Sequence, residues 1–290
     1  MVPDTQRYAL AYPHIFRRQF QWIRDSVGPL HVKYVMHVGD IVDEDTEAEW
    51  RVADEAFSLI DGVVPFIAVP GNHDLDAGTG LKGFRSSTRY NALFSPKRFE
   101  NRPWYGGHRG VTADNSFGYF TAGGQQFLVL GLEFGPSDET LEWAAMIAKK
   151  HQNTHRIILV THCYLMGDDT RVGPGDDFNP HTKFGPAWND GEDIWEKFVR
   201  KAKSVGLVLS GHVCDDGAGC LVSTNDAGRP VVQMVANYQF LEHGGKGWLR
   251  ILKFQPREKR LEVYTYSPWL NAFREDRDHR FSVDVAHLFP

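Results

Sequence analysis

A chain of 290 residues with 42% apolar side chains can bury a full hydrophobic core and reads as one large domain. A formal charge of −5 and a pI near 6.2 supply no overall cationic field, which excludes bulk adhesion to nucleic acid or to anionic lipid. Three cysteines, Cys163, Cys214 and Cys220, are odd in number and too few for a disulfide framework, and no apolar run approaches the roughly 20 residues of a membrane-crossing helix.

From the amino end, Met1-Val2-Pro3 leads abruptly into Asp4-Thr5-Gln6 with no signal-peptide pattern. That opening is compatible with a leader or first strand ahead of it; the chain as given is expected to be soluble, and its compartment stays open. Phe16, Phe20, Ile23 and Val27 step by helical intervals, as do Trp50, Ala53, Phe57 and Ile60. Leu141, Ala145 and Ala148 mark a third helix, and Trp195, Phe198 and Ala202 a fourth. Between and beyond them lie runs of strand length: Tyr34 to Val38, Val63 to Val69, Phe127 to Leu132, Ile157 to Val160, Val205 to Leu209, Val231 to Val235, Leu249 to Phe254 and Leu261 to Tyr266. Most are β-branched or aromatic without polar alternation, as suits strands covered on both faces. Strand and helix alternate early, and strands crowd together after residue 205, so the expected fold is α/β: a two-sheet β-sandwich flanked by helices in α/β/β/α layers, with a more antiparallel finish. Nothing cuts the chain into separate domains. Residues 75–118 form a long insertion without clear period, 165–190 a second irregular stretch, and an extended carboxyl-terminal sheet starts near residue 230.

In open α/β sheets ligands bind beyond the carboxyl ends of the strands, and the unusual polar residues collect there four times. The strand ending near Val38 runs into Gly39-Asp40, the next into Gly71-Asn72-His73-Asp74, the third into Thr161-His162 and the fourth into Ser210-Gly211-His212. Aspartate, asparagine and histidine together are metal ligands, and a mixed oxygen and nitrogen set favours Mn, Fe or Zn over Mg or Ca. Two such ions roughly 3.5–4 Å apart can both activate water and shield phosphoryl oxygens.

Through Asp4-Thr5-Gln6, Gly39-Asp40-Ile41-Val42-Asp43, Gly71-Asn72-His73-Asp74, His162 and Gly211-His212-Val213-Cys214, the chain resembles the calcineurin-like metallophosphoesterase superfamily over nearly its whole length. Asn237-Tyr238-Gln239, Gly244-Gly245, Gly247-Trp248 and Thr265-Tyr266-Ser267-Pro268 look like a branch with an extended carboxyl-terminal sheet. The resemblance implies a centre of two divalent or trivalent metal ions. Asp40 is expected to bridge them, with Asn72, His162 and His212 completing the second site and Asp4, Gln6 and Cys214 the first. Gln6 and Cys214 stand where the family usually has histidine; a carboxamide oxygen is a weaker donor than imidazole, and a thiolate binds Zn or Fe well but oxidises readily. His73 is expected to meet the leaving oxygen, oriented by Asp74, and such acid help is worth about 10²–10⁴-fold.

Other polar residues carry structural readings. His37 is expected in the core, His181 and His243 in loops, and Asp43, Glu44 and Asp45 at a helix start, where carboxylates favour the amino-terminal dipole. Asp168, Asp169, Asp176 and Asp177 read as a solvated loop. Cys163 and Cys214 are small buried hydrophobes or, alternatively, a close thiol pair. Between residues 82 and 110, Lys82, Arg85, Arg89, Lys97, Arg98, Arg102 and Arg109 interleave with aromatic residues against the single acid Glu100. Either this is a packed surface excursion or it walls a substrate cleft, with Arg85, Arg102, Trp104 and Tyr105 touching a phosphate-bearing substrate. The expected activity is metal-dependent hydrolysis of small-molecule phosphate esters, diesters before monoesters, by in-line attack of a metal-bound hydroxide. The rival is a non-catalytic binding protein on the same scaffold.

Overall fold

Two helices, α1 (Gln6–Ala11) and α2 (Pro13–Ser26), are parted at Tyr12 because Pro13 has no N–H to continue the first and fits the first turn of the second. After β1 (Val35–His37) comes α3 (Glu47–Ser58), later than the acidic run suggested. Its start is set by a reciprocal cap in which Thr46 accepts the Glu49 N–H and the Glu49 carboxylate accepts the Thr46 N–H. The computed structural model describes residues 1–76, 85–214 and 217–289. Beyond β2 (Phe66–Ala68), the insertion holds two short helices, α4 (Thr88–Leu93) and α5 (Pro96–Phe99), and the strand β3 (Tyr105–His108). None is long enough to show a period. Lys82 lies outside the described residues.

The chain continues through β4 (Ser116–Ala122), β5 (Gln125–Gly131), α6 (Asp138–His151), β6 (Arg156–Val160), α7 (Pro180–Phe184), α8 (Gly191–Lys197), β7 (Val205–Ser210), β8 (Ala218–Thr224) and β9 (Pro230–Ala236). It closes with β10 (Leu249–Gln255), β11 (Arg260–Ser267), β12 (Ala272–Arg274) and β13 (Arg280–Asp284). The fourth expected helix stops earlier than its spacing implies: Phe198 leaves helical geometry at φ −130°, and a tighter turn, Val199–Lys201, follows. On α6 it is Ala144, not Ala145, that joins Leu141 and Ala148 in the core.

One sheet has the order β3-β4-β5-β6-β7-β9-β8, parallel from β5 to β9 and antiparallel at both edges. Facing it, β1 and β2 pair in parallel, and β10 to β13 form an antiparallel group. Val2 bridges to His37, and Met1 exchanges hydrogen bonds with Arg250, so the first two residues tie β1 to β10. Between the two sheets pack Met36, Val69, Phe127, Val160, Leu209 and Met234. Outside the larger sheet, Leu130 and Leu159 meet Leu141, Ala144 and Trp195 of α6 and α8. Outside the smaller, Val35 and Phe66 meet Phe16, Phe20, Ala53 and Phe57 of α2 and α3. The layers are therefore α/β/β/α, and strands covered on both faces have no use for polar alternation. No helix among the described residues is long and apolar enough to cross a membrane.

Candidate functional site

Because β1 and β2 run parallel in one sheet and β6 and β7 parallel in the other, all four carboxyl ends open on one edge. A hydrogen bond from His162 Nδ1 to the carbonyl of Val38, 2.8 Å, joins the sheets at that edge. Asp40 leaves β1 in the left-handed region at φ +50°, and His212 leaves β7 at φ +66°. Non-glycine residues there cost about 1–3 kcal/mol and persist only where their surroundings hold them. Here the Thr5 N–H donates to the Asp40 carbonyl at 2.9 Å, and the His212 N–H donates to Asp4 Oδ2 at 3.2 Å.

One ligand atom from each of Asp40, His162 and His212 lies within 4.8 Å of the other two. Asp40 Oδ1 stands 3.2 Å from His162 Nε2, and His212 Nδ1 is 3.2 Å from the same nitrogen. The remaining nitrogen of each ring faces a backbone carbonyl: His162 Nδ1 that of Val38, and His212 Nε2 that of Phe178 at 3.2 Å. A carbonyl can only accept, so those nitrogens carry hydrogen and the two facing Asp40 can offer lone pairs, the usual arrangement of metal-ligating histidine. Asn72 lies on the same loop, next to His73, whose backbone N–H donates to Asp40 Oδ1, and is the candidate for a fourth donor. Its Oδ1 is buried without a hydrogen bond from any described residue, an expensive position unless a cation meets it. These four residues fit one ion.

Burial alone would raise the Asp40 carboxyl, but the imidazoles of His162 and His73 hold it well below the ordinary carboxylate range. Burial opposes the His162 imidazolium, yet Asp40 and Asp4 raise it to about 9. His212, desolvated and next to His162, is pushed down to about 3. A proton and a metal ion therefore compete for the inward nitrogen of His162.

The loop geometry depends on two residues with no donor role. Asp74 is wholly buried, and its carboxylate accepts the N–H groups of Ile41 at 2.8 Å, Val42 at 3.0 Å and Gly71 at 2.8 Å, stapling the two strand-end loops together. Desolvation, then Asp40, lifts its pKa to about 7. Its expected part in orienting His73 is corrected: the His73 Nδ1 sits 2.6 Å from the carbonyl of Asp43, which fixes the hydrogen there and leaves Nε2 for chemistry. The His73 side chain is 39% exposed and its pKa is raised, first by Asp40. Asp43, read from sequence as a helix start, instead accepts from Gln6 Nε2 at 2.8 Å and pairs with Arg7 at 3.1 Å. Arg7 in turn lies over the exposed ring of Phe240, 5.9 Å to its centroid.

Asp4, Gln6 and Cys214 also reach this edge, where Asp4 and Cys214 accept hydrogen bonds from Asn237 and Asp4 lies close enough to His162 and Asp40 to act on their charges. No disulfide forms among the described residues. The insertion is the larger correction. Arg102 pairs with Asp61 at 2.7 Å, and Trp104 packs on Tyr34, Phe66 and Phe99. Tyr105 packs on Phe99 and meets His108. Phe66 begins β2 whereas Asn72 lies past its end, so these three residues sit at the wrong end of the strand to touch a substrate. Their charges and rings are spent on packing. Arg85 lies nearer, its guanidinium 3.9 Å from the centroid of the Trp188 ring and bonded to the carbonyls of Phe134 and Ala187.

The sequence profile of the calcineurin-like phosphoesterase family matches residues 4–216. The uncharacterized protein YvnB of Bacillus subtilis (strain 168) is 33% identical over 284 residues, covering 93% of this chain and 20% of that protein. The chain therefore spans about a fifth of the length of this curated relative. Among solved structures, purple acid phosphatase PPD1 from yellow lupin (Lupinus luteus) seeds superposes with a TM-score of 0.56 at 14% identity, covering 92% of this chain and 48% of that one. A dimetal phosphatase from Danio rerio is similar at a TM-score of 0.48 and 16% identity, covering 92% and 88%. The lupin likeness is one of fold.

Proposed function

This chain belongs to the calcineurin-like phosphoesterase family, and from that premise we propose that it hydrolyses small-molecule phosphate esters with the help of bound metal, diesters in preference to monoesters. The observation that carries the reading is the meeting of Asp40, His162 and His212 in one buried spot with the half-exposed His73 beside it. Asp40, Asn72, His162 and His212 would hold the ion, which when bound supplies Lewis acidity toward a phosphoryl oxygen and lowers the pKa of water. The chain's own part is positioning and proton transfer. The His73 N–H to Asp40 Oδ1, 3.0 Å, keeps the loop that carries its imidazole against the ligand carboxylate. With Nδ1 fixed on Asp43, His73 Nε2 is the group to donate a proton to the departing oxygen.

The rim supports the preference for diesters. Arg7 is engaged by Asp43, while Phe240 and Leu241 are exposed, 67% and 43%. A mouth with its arginine paired and its aromatic residue bare suits a monoanionic ester bearing a second organic group better than a dianionic monoester.

Parallel assays of an aryl phosphodiester and an aryl phosphomonoester, with Mn(II), Zn(II) or chelator, test this. The diester should be turned over with the higher kcat/KM and only with metal. Faster monoester hydrolysis would reverse the preference, and hydrolysis of neither under any metal would favour a binding scaffold. His73→Gln is expected to lower kcat about 10²-fold, the lower end of acid catalysis, because solvent reaches the ring and water can replace it in part. An unchanged kcat would remove His73 from the chemistry.

A further inference from the structure

The first metal position that the family resemblance implies would need donors from Asp4, Gln6, Asp40 and Cys214 turned on one point. In this chain N–H groups take that place. Asn237, just past β9, is buried, and its orientation is set from the far end because its Oδ1 accepts the Gln239 N–H at 3.1 Å. Its Nδ2 therefore faces inward, 2.7 Å from Asp4 Oδ2, 3.1 Å from the carbonyl of His212 and 3.0 Å from Cys214 Sγ. Gln239 adds a second carboxamide donor to Cys214 at 3.2 Å, and the thiol itself points to the His212 carbonyl at 3.3 Å.

A buried carboxylate needs positive charge or N–H groups around it. Asp4 accepts the amide of Asn237 and the backbone N–H of His212, so N–H groups stand where a cation would approach its Oδ2. A carboxamide nitrogen has no lone pair to offer a metal. Gln6 donates its Nε2 to Asp43, and its Oε1, buried without a hydrogen bond from any described residue, is the one uncommitted oxygen at this position. Among the described residues, the ligand cluster around Asp40 includes neither Asp4 nor Cys214. Among the described residues the histidine and carboxylate donors thus gather at the second position, whereas at the first the thiol and the Asp4 carboxylate are tied to carboxamide N–H groups.

We propose that the centre is mononuclear, with one metal ion per chain at Asp40, Asn72, His162 and His212 and the carboxamide of Asn237 in place of the other ion. This rests on the metal-binding part of the reading above. Equilibrium dialysis of the whole chain against excess Mn(II), followed by elemental analysis, decides it. One ion per chain, with the electron paramagnetic resonance hyperfine pattern of an isolated Mn(II), is the expected result. Two ions, or the spectrum of an exchange-coupled pair, would overturn the proposal while leaving the metal-dependent reading intact; no bound ion would overturn both. Asn237→Asp, which exchanges the amide for a carboxylate, should raise the stoichiometry toward two. A folded Asn237→Asp protein that still binds a single ion would show that the amide is not what excludes the second.

Discussion

Asp40→Asn is expected to bring hydrolysis down to the level of the chelator-treated protein, a fall on the order of 10³-fold or more. The size follows from the several kcal/mol a Lewis acid contributes, each 1.4 kcal/mol being about tenfold. The exchange is nearly isosteric. An amide oxygen can still accept the His73 N–H that Asp40 Oδ1 now takes, so the loop should hold. What disappears is the charge that, beside His162 and His212, gives the spot its affinity for a cation. Calorimetry separates the cases: excess metal at about 100 times Kd should stabilise the native chain by about 2.7 kcal/mol and leave the variant unmoved. A variant that keeps both the thermal shift and the turnover would refute Asp40 as a ligand.

Gly71→Ala is expected to damage stability and site together. A Cβ at Gly71 would stand 2.1 Å from Asp40 Oδ1 and 2.3 Å from the Asp40 nitrogen, closer than any real carbon tolerates, and the nearest obstacle includes backbone. Forcing extra volume into a packed site costs about 1–3 kcal/mol, sometimes more. At roughly 2–4 °C per kcal/mol for a protein of this order of size, the midpoint should fall by about 3–10 °C. Because the shifted atoms belong to Asp40, metal affinity should drop as well. A melting point and metal affinity both like those of the native chain would mean that the two loops are not packed as described.

Much of the site was legible because its parts lie where apolar runs stop. Val35 to Asp40 and Ile67 to Asn72 read directly as buried strands meeting glycine and then a ligand, and the fold places those ends on one edge. What the sequence hid depends on distance or brevity. Asn237 meets Asp4 across 233 residues, so no local pattern marks its amide as a partner, although it stands in a segment noted for its resemblance. Asp43 was read through the acids beside it, yet the cap is made by Thr46 and Glu49, leaving Asp43 to hold His73, Gln6 and Arg7. Residues 85–118 misled in the opposite sense. Arg98 and Arg102 look like a phosphate-binding surface in one dimension, but both meet Asp61, an acid outside the stretch being counted. Charge balance within a segment says little about charge balance around it.

The Asp74 staple has a consequence for how the protein comes to life. Three backbone N–H groups from two loops converge on one carboxylate, so hydrogen bonds within the polypeptide fix how the loops carrying Asp40 and Asn72 sit against each other. This is the reverse of a zinc finger, where the ion organises the chain. The chelated chain is therefore expected to keep a cooperative melt, and loss of its folded baseline on chelation would show that the ion holds the loops after all.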